Sequence, residues 1–165
     1  MEVYLVRHAI AHERNTTRWP NDALRPLTTA GIRKFRKAAS GLARCVPKTA
    51  AVFTSPYVRA RETAAILAES AKFRAAVESA DLEPGKAPRA VFDMLRARRR
   101  SAVVLVGHEP DLSAWVSVAL AVEPSRIKSE FKKGGAACVR FEKSIGPGGA
   151  TLVWLLPPRV LRAMR

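Results

Sequence analysis

Apolar positions along the chain fall into two kinds of run. Val3-Tyr4-Leu5-Val6 and Val103-Val104-Leu105-Val106 are short, β-rich and apolar throughout, the pattern of strands buried on both faces of a sheet. Ala50 to Phe53 reads as another such strand, and Ala75 to Ser79 as a further extended segment. Between them apolar residues return at helical spacing. Ile32, Phe35, Ala39 and Leu42 do so in a helix that Thr28 or Thr29 caps and that continues to Arg44, with Pro47 marking its end. Val58, Ala65, Ile66 and Ala68 form the packing face expected between about Tyr57 and Ser70, after a Ser55-Pro56 turn in which proline suits the first helical position. Val91, Phe92 and Leu95 do the same within Ala87 to Arg100, and Leu112, Trp115, Val116, Ala119 and Leu120 within Asp111 to Val122.

Two later runs, Ala136 to Glu142 and Thr151 to Leu156, flank the glycine-rich Gly146-Pro147-Gly148-Gly149 and read as an antiparallel hairpin at one sheet edge. Residues 9 to 27 are polar, contain Pro20 and Pro26, and read as a long loop. Strands alternating with helices predict an α/β fold: a three-layer α/β/α sandwich with a mostly parallel central sheet and an antiparallel edge element. Its 165 residues suffice for one domain, 1–165, and are too few to expect two.

Composition adds a soluble balance, 48% hydrophobic and 26% charged. No apolar run approaches the ~20 residues of a membrane span, and Met1-Glu2-Val3 opens no secretory pattern, so a cytoplasmic protein without membrane partners is expected. Cys45 and Cys138 stand alone, which predicts neither disulfide nor metal site. The net charge of +15, with clusters at Arg33-Lys34, Arg36-Lys37 and Arg98-Arg99-Arg100, implies either solvated helix faces or a surface that attracts anionic partners. Aromatics make up only 7% and do not interleave with the basic clusters, so nucleic acid is not expected as the primary partner.

The candidate chemistry lies where strands end. His8 follows Arg7 after the first strand, and His108 follows Gly107 after Val103 to Val106. Ligands of α/β proteins collect outside the carboxyl ends of parallel strands, so the two imidazoles are expected to meet. Arg59 falls at the start of a helix, where its charge opposes the dipole unless an anion binds there. Arg61 reads as an ordinary solvated side chain. Histidines with arginines beside them point to phosphate chemistry.

Four motifs in order carry a resemblance: Arg7-His8-Ala9, Arg25-Pro26-Leu27-Thr28 with Gly31, Ser55-Pro56 with Arg59 and Glu62-Thr63, and Gly107-His108-Glu109-Pro110. The chain resembles the histidine phosphatase superfamily, and within it the short branch of bacterial phosphohistidine phosphatases of the SixA type. The resemblance implies a phosphoglycerate mutase-like fold and a hydrolase that needs no cofactor or metal. It implies His8 as the nucleophile that carries a covalent phosphoryl group, with Arg7, Arg59 and His108 holding the non-bridging oxygens. The family pattern has glycine after the histidine where this chain has Ala9, which matters if that position requires positive φ. Larger members supply an acid as proton donor; Asp81 and Glu83 are the candidates here, and the sequence leaves the choice open.

Imidazole is an easier leaving group than an alkoxide, so a short enzyme without an unmistakable acid points to phosphohistidine on a phosphotransfer protein. Such a protein and phosphate are the expected partners of a monomeric enzyme. A small-molecule phosphatase of the same superfamily is the alternative, disfavoured because the first loop and the hairpin leave an open site with little to enclose a small ligand, and a mutase is further off. A non-catalytic basic binding module is a third reading.

Overall fold

The computed structural model describes residues 1–98 and 100–164. Its sheet is built on β1 (Glu2–Arg7), flanked in parallel by β4 (Ala102–Gly107) and antiparallel by β5 (Ala136–Phe141). Beyond β4 lie β2 (Ala51–Thr54) and β3 (Val77–Glu78), both parallel, and beyond β5 lies β6 (Ala150–Leu156), antiparallel. The order is β3-β2-β4-β1-β5-β6, a mostly parallel sheet with the expected hairpin at its edge.

Successive side chains of a strand point to opposite faces, and here they feed two separate cores. Tyr4, Val6, Val52, Val104 and Val106 pack against α1 (Thr29–Leu42), α2 (Val58–Ala71) and α5 (Pro158–Ala163). Val3, Leu5, Val103 and Leu105 pack against α3 (Pro88–Arg96) and α4 (Asp111–Ala121), where Phe92 and Trp115 are fully buried. This is the predicted three-layer sandwich. No helix among the described residues is long and apolar enough to cross a membrane.

Several boundaries move. The extended segment at 75–79 contributes only the two residues of β3. The helix expected to reach Arg100 ends at Arg96, and Arg99 lies outside the described residues. On α2, Ala65 is exposed, while Arg59, Ala60, Thr63, Ala64, Ile66, Leu67 and Ala71 are the buried set. Alanines give little contrast between faces, and the inward positions of the first turns hold Arg59 and Thr63, polar residues turned to the site. The short helix α5 leaves little signal in the sequence. Six residues give under two turns of periodicity, and Pro157-Pro158 looks like a terminator although Pro158 occupies the first helical turn.

Glycine matters where backbones touch. A Cβ at Gly31 would lie 2.1 Å from the Ile10 carbonyl oxygen, and one at Gly41 would lie 1.8 Å from that of Leu161. The first close approach ties the start of α1 to the chain just after His8; the second seats α5 on α1. Thr28 completes the first junction: its hydroxyl oxygen accepts from the Gly31 N–H (2.9 Å) and its own N–H donates to the Ile10 carbonyl (2.9 Å).

Candidate active site

Arg7 and Gly107 are register partners in neighbouring parallel strands, so the residues that follow leave the sheet at the same level. The His8 N–H donates to the Gly107 carbonyl (3.0 Å), and the two imidazoles stand with ring centroids 5.2 Å apart. Ser55 leaves the next strand at that level as well, its N–H bonded to the Val106 carbonyl. The carboxyl ends of three adjacent strands thus deliver His8, His108 and the start of α2 to one place.

Nδ1 of His8 lies 2.7 Å from the Ala9 carbonyl oxygen. A carbonyl can only accept, so Nδ1 carries the proton and Nε2 keeps its lone pair. Burial pushes the His8 pKa down to about 3, with the charges of Arg59, Arg7 and Arg25 adding to the effect. The ring is therefore neutral at physiological pH and nucleophilic at Nε2. Ala9 is buried and is not among the positive-φ residues, so a side chain is accommodated where the family pattern has glycine. Its N–H donates to the Thr63 hydroxyl, which in turn donates to the Arg59 carbonyl, linking the loop after His8 to α2.

His108 is also neutral, its pKa pushed by burial to about 2. Its Nε2 lies 2.8 Å from the Ser55 hydroxyl, whose oxygen accepts from the Tyr57 N–H. Nδ1 of His108 is buried without a partner among the described residues, and it is a donor in the tautomer whose Nε2 accepts from the Ser55 hydroxyl. The edge-to-face ring of Tyr57, 5.2 Å away, fixes the imidazole plane.

Arg7 and Arg59 are both held at one end. Arg7 Nη1 donates to the Phe131 carbonyl (2.5 Å), and Arg59 Nη1 donates to the Asp22 carbonyl (2.9 Å) and pairs with the Asp22 carboxylate (3.1 Å). Arg59 is 4% exposed and its guanidinium lies over the Tyr57 ring. The Nε groups of both arginines, like Nδ1 of His108, are buried without a partner among the described residues. An unpartnered buried donor costs about 1–3 kcal/mol, so three of them around His8 fit a polyoxygen anion.

Asp22 and Tyr57 escaped the sequence reading. Asp22 sits in a 3-10 turn (Asp22–Leu24) whose Asn21 side chain caps it, and its carboxylate accepts from Arg25 Nε (2.8 Å) as well as from Arg59. Hydrogen bonding to Arg25 holds its pKa below the usual carboxylate range. The only signal was an acid three positions before Arg25-Pro26. Glu62 and Glu109 turn out to be braces: Glu62 accepts from the Leu27 N–H (2.7 Å), and Glu109 accepts from the Ser113 hydroxyl (2.6 Å) and the Phe131 N–H (2.9 Å).

Asp81 and Glu83, half-buried in and after a second 3-10 turn (Ala80–Leu82), line a small cleft together with Gly107 and His108. Asp81 accepts from the Ser79 hydroxyl (3.1 Å). Both candidates are thus brought to the His108 side of the site. Arg61 lies outside it, exposed and 3.5 Å from Glu78. Among the described residues no group of three or more histidines, cysteines or acids is placed to hold a metal ion.

A family model described as the histidine phosphatase superfamily (branch 1) matches residues 3–83. An uncharacterized protein of Picosynechococcus sp. is 34% identical over 153 residues, covering 85% of each chain. Among solved structures, the protein histidine phosphatase SixA complexed with tungstate superposes with a TM-score of 0.83 at 25% identity, covering 98% of this chain and 99% of its own. A SixA assigned as a phosphohistidine phosphatase from Agrobacterium tumefaciens gives a TM-score of 0.73 at 22% identity, covering 95% and 97%.

Proposed function

The chain belongs to the histidine phosphatase superfamily, and from that premise we propose that it hydrolyses phosphohistidine on a phosphotransfer protein through a phosphoryl group carried on His8. The observation that carries the reading is the pairing of His8 Nδ1 with the Ala9 carbonyl, which leaves Nε2 free in a ring that burial keeps neutral.

In the first half-reaction His8 Nε2 forms a bond to phosphorus as the P–N bond of the substrate breaks, and the substrate imidazole leaves with a proton. The His8 ring becomes positive, and the Ala9 carbonyl stabilises its Nδ1–H. Arg7, Arg59 and His108 donate to the non-bridging oxygens, where charge concentrates in a loose transition state. In the second half-reaction water attacks phosphorus, inorganic phosphate departs and neutral His8 returns.

Asp81 or Glu83, on the cleft wall shared with His108, supplies a proton where the leaving group needs one. A phosphohistidine leaving group can arrive protonated, so this acid matters less for it than for an ester. Steady-state hydrolysis of a histidine-phosphorylated phosphotransfer domain, compared with a panel of phosphomonoesters, tests the reading. Preference for the phosphodomain supports it; faster turnover of several esters favours the small-molecule alternative.

A further inference from the structure

A groove of about 230 Å3 opens between α1 and α5, directly behind the loop that follows His8. Ala9 and Gly134 form its wall toward the site, and the Gly134 N–H donates to the carbonyls of both Arg7 and His8 (3.2 Å each). Ile10, Phe35 and Pro158 give it an apolar lining, and Lys34, Lys133 and Arg162 bring three positive charges to it.

No acidic residue lines it among the described ones. Some cations elsewhere on the surface meet carboxylates, as in Arg36 with Glu69, Arg61 with Glu78, Arg96 with Asp93 and Arg140 with Glu142. Among the described residues, Lys34, Lys133 and Arg162 enter no such pair. Three like charges gathered around an apolar lining repel one another, and an anionic partner removes that cost.

The lining decides what kind of anion. A free phosphate has no apolar surface to set against Phe35 and Pro158, whereas an amphipathic helix offers apolar side chains with acids beside them. We propose that this groove docks an acidic, amphipathic segment of the phosphohistidine-bearing protein; the proposal rests on the phosphohistidine reading above. Contact at the groove anchors the substrate protein at Ala9, one residue along the chain from His8. Specificity for a protein over a small phosphate then comes from a surface outside the chemistry, and three of the charges behind the net +15 acquire a located role.

The test is the triple reversal K34E/K133E/R162E, compared with wild type on two probes: a histidine-phosphorylated phosphotransfer domain and free phosphohistidine. We expect KM for the domain to rise about tenfold or more with kcat nearly kept, and turnover of free phosphohistidine to change by less than about twofold. Rising ionic strength raises KM for the domain in wild type and much less in the variant. An unchanged KM for the domain overturns the docking site while leaving the phosphohistidine reading in place. Equal losses on both probes also overturn it, because the substitutions then act on the fold. A wild-type enzyme that does not hydrolyse the domain at all overturns both.

Discussion

His8 and His108 face each other with ring centroids 5.2 Å apart and planes inclined at 53°. The juxtaposition follows from strand register: Arg7 lies opposite Gly107, so each imidazole is the first residue beyond the end of its strand. Both rings are buried, at 6% and 3% exposure, and both are neutral.

Nitrogen-15 NMR of the histidine rings checks this state. His8 is expected to show a protonated Nδ1 and an unprotonated Nε2, and both rings are expected to stay neutral well below the ordinary imidazole range while the protein is folded. Protonation of His8 near the ordinary imidazole value contradicts the burial argument.

The same shifts set the pH dependence of stability. Each folded-state pKa lies below the unfolded value near 6.5, so the stabilisation is complete above about pH 6.5 and is lost as pH falls toward 3. Each histidine removes about 1.4 kcal/mol of stability per pH unit in that window. Urea denaturation from pH 7 to pH 4 is expected to show this decline, and His8→Asn to flatten it; an unaltered slope in the variant contradicts the assignment.

Much of the site was legible because its positions coincide with backbone signals. Strand ends at Arg7-His8 and Gly107-His108, and the Ser55-Pro56 turn before Arg59, are visible as changes of hydrophobic period. The fold's layers were legible for the same reason, since apolar β-runs and helical spacing alternate. Asp22 was not, because its role is set by the path of a loop that brings it back to Arg59 across 37 positions. Ala65 was misplaced because alanine fits either face of α2. Glu109 stood inside a quoted motif, yet its partner Phe131 comes from an irregular segment without period.

Asp22→Asn separates orientation from charge. Asp22 holds Arg59 Nη1 and offsets its positive charge, so the variant is expected to lower kcat about tenfold while inorganic phosphate inhibits more tightly, by roughly threefold to tenfold. Product-inhibition kinetics read both effects. Weaker phosphate inhibition contradicts the counter-charge role.

Glu109→Ala acts at a distance from the reacting atoms. The carboxylate holds the Phe131 N–H while the Phe131 carbonyl holds Arg7, so its loss frees Arg7. Activity is expected to fall about tenfold, with about 1–3 kcal/mol of stability lost from the unpaired groups. Activity at the wild-type level in the folded variant shows that Arg7 is held without this brace.

Gly31→Ala tests the junction behind His8. The added Cβ meets the Ile10 carbonyl oxygen at 2.1 Å, so backbone must shift and stability is expected to fall by about 3 kcal/mol, read as a lowered Tm. A wild-type Tm means the loop after His8 yields freely.

A phosphoryl group carried on His8 Nε2 can be trapped directly. Brief mixing with a phosphohistidine domain labelled at phosphorus, followed by a quench at alkaline pH, is expected to leave acid-labile label on the enzyme at His8 and none on His8→Ala. Wild-type enzyme that turns over the substrate yet carries no label, or a His8→Ala enzyme that hydrolyses it at the wild-type rate, contradicts a covalent phosphoryl group on His8.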